Sequence, residues 1–553
     1  MAVLVSCEAE AASAGERLLR AGGNAVDGAV AAAFAQAVVN PMMCGLGGSA
    51  LALHADLRTG HVTAINGEAA TGSRPVPAAW AGEFLGRVET FGRYALTSEG
   101  NQMGPASVMV PGFVDAMDLL LRRYGSGRVG THDVLAPATA LARNGFELSP
   151  YLARWWQTGT AGDSHASRPG YPTLAAKAAA YPEAAARYLH PDGSGYQAGE
   201  RFAQPWIADI LDRLASAGLG DFLHGQLGGL LADALEREES LVSREDVTGY
   251  QALETPAPRH TLGRHTLFTA PPPSPGIQVL QMLALAHRLG IDATELDADT
   301  ADSLAKAMRA SFADNRYIKA TDPSDADRVT RAVLSPDSLD AWADAIAAGD
   351  PVVVRGEAPG DGTTHVTAVD GDHAVCITHS TGSVGGSAYL VPELGYLLNN
   401  FTGHYNPLPG APDSLRPGAR IGTGAPLIAF EDERGDGGRT GGAHTGGGLA
   451  LAVGAPGGSR LITATFQVAR SVLFAGADAE TAVALPRVHS EEHRTVYVEP
   501  AQHAALAAQL RSHGNDVAAS DYMSRVQAVS RSRDGRLSSG SDPRGGGGVA
   551  RVP

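Results

Sequence analysis

Apolar positions recur at helical spacing through the first third of the chain. Ala9 to Leu19 shows this spacing, and Gly22-Gly23 ends the run in the manner of a glycine cap. The next segment, Ala29 to Val39, is almost wholly Ala, Val and Phe, with Asn24 or Asp27 as its cap and Pro41 beyond its end. A helix that is apolar all round belongs inside a layered structure. The same spacing predicts helices over Phe113–Arg123, Ile207–Ala217, Leu227–Arg237, Ile277–Leu289 and Thr300–Phe312. Near residue 350 the texture changes. Val352-Val353-Val354 reads as a short strand, residues 364–378 alternate with period two, and Pro426–Phe430, Leu449–Val453 and Thr495–Val498 are further strands. Gly435 to Gly448 reads as a flexible glycine-rich insertion and Ser541 to Pro553 as a mobile tail. Helices and many strands in one chain predict α/β or α+β layers.

Composition narrows the function classes. The 553 residues are 44% hydrophobic and 18% charged, which supports a large core and excludes global disorder. A net charge of −16 repels phosphate backbones, so no nucleic-acid partner is expected. Cys7, Cys44 and Cys376 are far apart and form no CxxC, so neither a disulfide framework nor a zinc site is expected. The first residues lack a basic region, and no apolar run approaches roughly 18 residues. The expectation is a cytoplasmic protein with no membrane partner. His489-Ser490-Glu491-Glu492-His493 matches a metalloprotease spacing, but that motif needs a helix and a strand-like run follows it. Gly45-Leu46-Gly47-Gly48 follows a helix instead of a strand, so a dinucleotide site is not expected either. No metal and no cofactor are anticipated.

The most informative stretch is Thr363-Thr364-His365 through Asp370, then Gly371-Asp372, then His373 through Ser380. Two alternating runs around an Asp-Gly step predict a hairpin. With Gly371-Asp372 at the centre of the turn, Thr363 faces Ser380; with Asp370-Gly371 there, it faces Thr378. An ordinary threonine-rich strand is the plainer reading of this stretch alone, because threonine favours strands.

Ordered matches along the chain change that picture. They are Gly22-Gly23-Asn24-Ala25-Val26-Asp27-Gly28-Ala29, Gly45-Leu46-Gly47-Gly48, Val110-Pro111-Gly112, Thr363-Thr364-His365, Gly395 to Asn400, Gly454-Ala455-Pro456-Gly457-Gly458 and Ser541-Asp542-Pro543-Arg544. With these the sequence resembles the γ-glutamyltransferase family of N-terminal-nucleophile hydrolases over almost its whole length. The resemblance implies an α+β fold, a four-layer αββα sandwich. It implies a precursor that cuts itself between Gly362 and Thr363 into a large piece, 1–362, and a small piece, 363–553, which together form one globular unit. In that scheme Thr363 is the nucleophile and its freed α-amine the base; such an amine titrates near ~7.7–8 and is partly neutral at pH 7. By family position Ser380 orients the amine, and Gly457 and Gly458 supply an oxyanion hole.

The departures fall on substrate recognition. Glutamyl-specific members grip the substrate carboxylate with an arginine where this chain has Gly67. His404 stands near the place of an acidic residue that holds the substrate ammonium, and Gly382 replaces a polar residue. The run equivalent to the family's paired serines, Arg420 to Pro426, keeps one hydroxyl at most, on Thr423, while Asn400 is kept. Asn400, His404, Thr423 and Gly67 therefore mark the implied substrate-binding positions for a small-molecule substrate. A carboxylate without its clamp would lose ~2–5 kcal/mol. The expectation is an acyl hydrolase or transferase whose donor is not ordinary glutathione. The alternatives are γ-glutamyl chemistry with a clamp rebuilt from Arg74, Arg93 or Arg420, a carbon–carbon hydrolase releasing an oxalyl-type group in antibiotic biosynthesis of the 4-alkyl-proline type, and an uncut, non-catalytic binding protein.

Overall fold

The computed structural model describes residues 1–88, 93–157, 173–314, 318, 323–349, 352, 363–411, 413–432, 447–491 and 493–553. Seven helices matter for the site: α1 (Ala9–Arg20), α2 (Ala25–Val39), α3 (Phe113–Tyr124), α4 (Thr131–Asn144), α5 (Gly276–Arg288), α6 (Ala298–Ala313) and α7 (Ser459–Leu473). Asn24, not Asp27, caps α2, so that helix starts a turn earlier than its apolar run. The Asn24 side chain accepts from the Val26 and Asp27 N–H groups, and Asp27 accepts from the Asn24 N–H in return. All of α2 is buried, as its composition requires.

The strands of the two large sheets are β1 (Ala2–Ser6), β2 (Ser49–Asp56), β3 (His61–Gly67), β4 (Leu253–Pro256), β5 (Arg259–Leu262), β6 (His265–Thr269), β7 (Thr363–Val369), β8 (His373–Ser380), β9 (Leu427–Asp432), β10 (Gly447–Gly454), β11 (Gln527–Arg531), β12 (Leu537–Ser541) and β13 (Gly548–Val552). The first sheet has seven strands in the order β13-β1-β7-β8-β2-β3-β4, and the second has six, β12-β11-β10-β9-β6-β5. Every pairing in both is antiparallel.

Between the sheets lies an apolar layer with Val5, Leu53, Cys376, Phe268, Ile428 and Phe430. The outer face of the first sheet packs on α1, α2 and α3, with α4 behind against α1 and α2, and that of the second on α5 and α7, with α6 against α5. This is the αββα sandwich. On the central hairpin, Val366, Ala368, Val375 and Ile377 face the helices while Val369, Ala374 and Cys376 face the other sheet. Its period-two pattern thus separates two buried faces, not core from water.

Three expectations need correction. The tail is not loose: β13 pairs along β1, with Val3 opposite Arg551, and closes one edge of the first sheet. Val352 lies in no strand, while Val353 and Val354, like most of Gly435–Gly448, fall outside the described residues; Gly447 and Gly448 already belong to β10. The strands β1 and β2 stand where sequence reasoning placed no element, because both are buried on both faces and lack alternation.

Strands from before and after position 363 interleave in the first sheet and meet at the β9–β6 pair in the second, so a chain cut there would leave each piece with an incomplete sheet and hold the two together.

Candidate active site

Asp370 sets the hairpin. Its Oδ1 accepts from the Asp372 and His373 N–H groups at 2.8 and 2.7 Å, and its Oδ2 accepts from the Ala25 N–H at 2.7 Å, in the first turn of α2. The turn therefore centres on Gly371-Asp372, and Thr363 pairs with Ser380, not with Thr378. Thr363 is the first residue of β7 and is buried. It borders a cavity together with Ser380, Gly382, His404, Thr423 and Gly458. The apolar part of the wall comes from Pro275, Phe401, Leu461 and Ile462; of these, Leu461 and Ile462 have a local pattern that nothing separates from core.

Gly457 and Gly458 have φ of +114° and +60°, and Gly458 leads directly into α7. The positive end of a fifteen-residue helix thus abuts the cavity beside Thr363. Backbone N–H groups in that setting suit an anionic oxygen. Gly48 permits the close approach of β2 to the end of β8: a Cβ there would lie 2.4 Å from the Ser380 carbonyl oxygen. Ser380 Oγ accepts from the Gly382 N–H at 2.9 Å. Asn400 does not border the cavity. Its Oδ1 accepts from the Ser383 N–H, and its Nδ2 donates to Ser383 Oγ and the Gln102 carbonyl, so it holds the loop that follows Ser380.

Behind Thr363 lies a buried polar network that sequence reasoning did not identify. Thr364 Oγ1 donates to Glu8 Oε2 at 2.9 Å. Glu8 also accepts from Gln36 Nε2 and Asn40 Nδ2, both at 2.7 Å, and from Arg525 Nη2 at 3.2 Å. The Arg525 guanidinium lies over the Tyr151 ring, 4.1 Å from its centroid. The only sequence signal was a Gln inside an otherwise apolar helix. His365 is a packing residue here, bonded to Thr378 and Thr367 hydroxyls at 2.8 and 3.0 Å; burial pushes its pKa, and that of His379, down to about 3.

The implied clamp positions are occupied by other chemistry. A Cβ on Gly67 would lie 2.4 Å from the Ala116 Cβ of α3 and 2.6 Å from the Gly112 carbonyl oxygen. Gly67→Arg will therefore destabilise the fold by about 1–3 kcal/mol through overpacking, read as a lower denaturant midpoint, without creating γ-glutamyl turnover. Arg420 is held elsewhere: Nη1 donates to the Asn66 carbonyl at 2.7 Å, Nη2 donates to the Gln251 carbonyl, and the guanidinium covers the Tyr250 ring at 4.6 Å. Arg74 bonds the Ser240 carbonyl and Glu236. The Arg93 side chain and Gly362 lie outside the described residues. Thr423 faces an acid instead of a base: its N–H and Oγ1 both donate to Glu68, at 2.7 Å and at 2.9 and 2.7 Å to the two carboxylate oxygens. Burial raises the Glu68 pKa to about 7, against the Thr423 and Ser49 hydrogen bonds.

His489 sits in the short strand Val488–His489, bonds the Thr463 hydroxyl and lies 3.4 Å from Glu491 Oε1; His493 is exposed, and Glu492 lies outside the described residues. Among the described residues no group of His, Cys, Asp or Glu is arranged to hold a metal ion, and no helix is long and apolar enough to cross a membrane.

The gamma-glutamyltranspeptidase family model matches residues 11–552. The acylase ACY 1 proenzyme of Pseudomonas sp. (strain SE83) is 29% identical, covering 95% of this chain and 89% of that protein. The glutathione hydrolase proenzyme of Escherichia coli (strain K12) is 26% identical, over 98% of this chain and 90% of that protein. The crystal structure of cephalosporin acylase from Bacillus halodurans shares the fold, with a TM-score of 0.82 at 23% identity, over 100% of this chain and 96% of that one.

Proposed function

The chain belongs to the gamma-glutamyltranspeptidase family and is an enzyme of its acyl hydrolase and transferase class, and from that premise we propose that it works through an acyl-enzyme on Thr363. The precursor cuts itself first. Thr363 Oγ attacks the Gly362 carbonyl, the peptide C–N bond breaks, and the resulting ester is hydrolysed by water, leaving a Gly362 carboxylate and a free Thr363 amine. In turnover that amine takes the Oγ proton as the hydroxyl attacks the donor carbonyl, and returns it to the departing group. Ser380 orients the amine, and the Gly457-Gly458 segment at the start of α7 meets the developing oxyanion; one such donor is worth ~3–4 kcal/mol of barrier. Water or an amine then resolves the ester.

The observation that carries this reading is the meeting of Thr363, Ser380 and Gly458 in one cavity. What supports a donor other than glutathione is the packing around Gly67 and the commitment of Arg420 to backbone carbonyls. The test of that part is turnover of a γ-glutamyl anilide beside the Thr363→Ala variant. Little or no release is expected; robust Thr363-dependent release would mean an ordinary γ-glutamyl enzyme.

A further inference from the structure

Thr423 borders the cavity in which Thr363 lies, yet both of its hydrogen-bond donors point away from it. The N–H and the hydroxyl meet the buried Glu68 carboxylate, and the Ser49 hydroxyl bonds the same group. An ionised carboxylate only accepts, so the Thr423 hydroxyl must donate to it and keeps only lone pairs for a guest. An acceptor backed by a buried anion attracts an N–H, O–H or ammonium group and repels a carboxylate. Around it, Gly67 has no room for a basic side chain, and Arg420 is bound to the Asn66 and Gln251 carbonyls.

We infer that Thr423, held by Glu68, is a specificity-determining residue that selects acyl donors presenting a hydrogen-bond donor, and no carboxylate, to its hydroxyl. This rests on the reading that Thr363 is the acylated residue.

The two carboxyl states of Glu68 give the inference a readout of its own. When Glu68 takes up a proton, its O–H donates to Thr423 and the threonine hydroxyl turns toward the cavity as a donor. Burial places that change near pH 7. The other charged or titratable groups around Glu68 are Arg420, Tyr250 and Tyr405, and burial raises both phenols. His404 borders the same cavity.

The experiment compares 4-aminobutyryl and glutaryl 4-nitroanilides, which match in length and differ in end group, on the full chain. A ratio of their kcat/KM values cancels the titration of the Thr363 amine, which both donors need. The expected ratio at pH 8.5 is at least tenfold in favour of the aminobutyryl donor, falling severalfold at pH 5.5. Glu68→Gln removes the pH step and brings the ratio to within about threefold of one; the wild-type pH series stands alone if that variant does not fold. Thr363-dependent release with equal use of the two donors, or with glutaryl preferred, would overturn the inference and leave the acyl-enzyme reading intact. Release that persists in Thr363→Ala, or no Thr363-dependent release and no mass adduct on Thr363 from either donor, would overturn both.

Discussion

Turnover by the Thr363→Ala variant will fall by roughly 10⁴- to 10⁶-fold, the scale seen when a hydrolase loses its nucleophile. Two groups go with one substitution. The hydroxyl is deleted, and the uncut chain never frees the α-amine that accepts its proton. Thr363→Ser keeps the hydroxyl at the same point on β7 and will retain activity, whereas Thr363→Val keeps the branched shape without the oxygen and will be as inactive as the alanine variant. This ordering separates chemistry from packing, because Thr363 is buried and a simple cavity effect would rank serine and alanine together. Initial rates on any donor the wild type accepts provide the check.

Arg525→Met will cost about 3–5 kcal/mol of stability. The guanidinium contacts Glu8 and the Cys7 carbonyl, all of them buried, and it bridges the two ends of the chain. Without it the Glu8 carboxylate keeps Gln36, Asn40 and Thr364 but loses its counter-charge inside the protein. Glu8→Gln together with Arg525→Met will recover part of the loss, since no bare charge remains, and a double-mutant cycle on denaturant midpoints measures the coupling. The contact spans the proposed cut, so the single variant will also let the two pieces part more readily on size exclusion in mild urea.

Local rules carried much of the fold. Gly22-Gly23 ends α1 as expected, with Gly22 at φ +95°, and every residue of α2 is buried because its Ala29–Val39 run, apolar but for Gln36, leaves no face for water. The Asp370 side chain decided between two hairpin registers by binding both the turn and the start of α2, a contact 345 residues away that no local pattern shows. Doubly buried β2 was illegible for the opposite reason: Ser49–Asp56 is buried on both faces and has no alternation. At the site, positions could be read from the family's motifs, but the partners of side chains could not. Asn400 holds Ser383 in the loop after Ser380, and Glu68, next to Gly67, takes both donors of Thr423.

The central claim is that Thr363 becomes a chain terminus and the nucleophile. Intact-mass analysis of the purified full-length protein tests it most directly. The account predicts two pieces, residues 1–362 and 363–553, meeting at the Gly362–Thr363 bond with a free amine on Thr363, and a single uncut chain for Thr363→Ala. A wild-type protein that stays one chain, or a cut that Thr363→Ala does not stop, would contradict it.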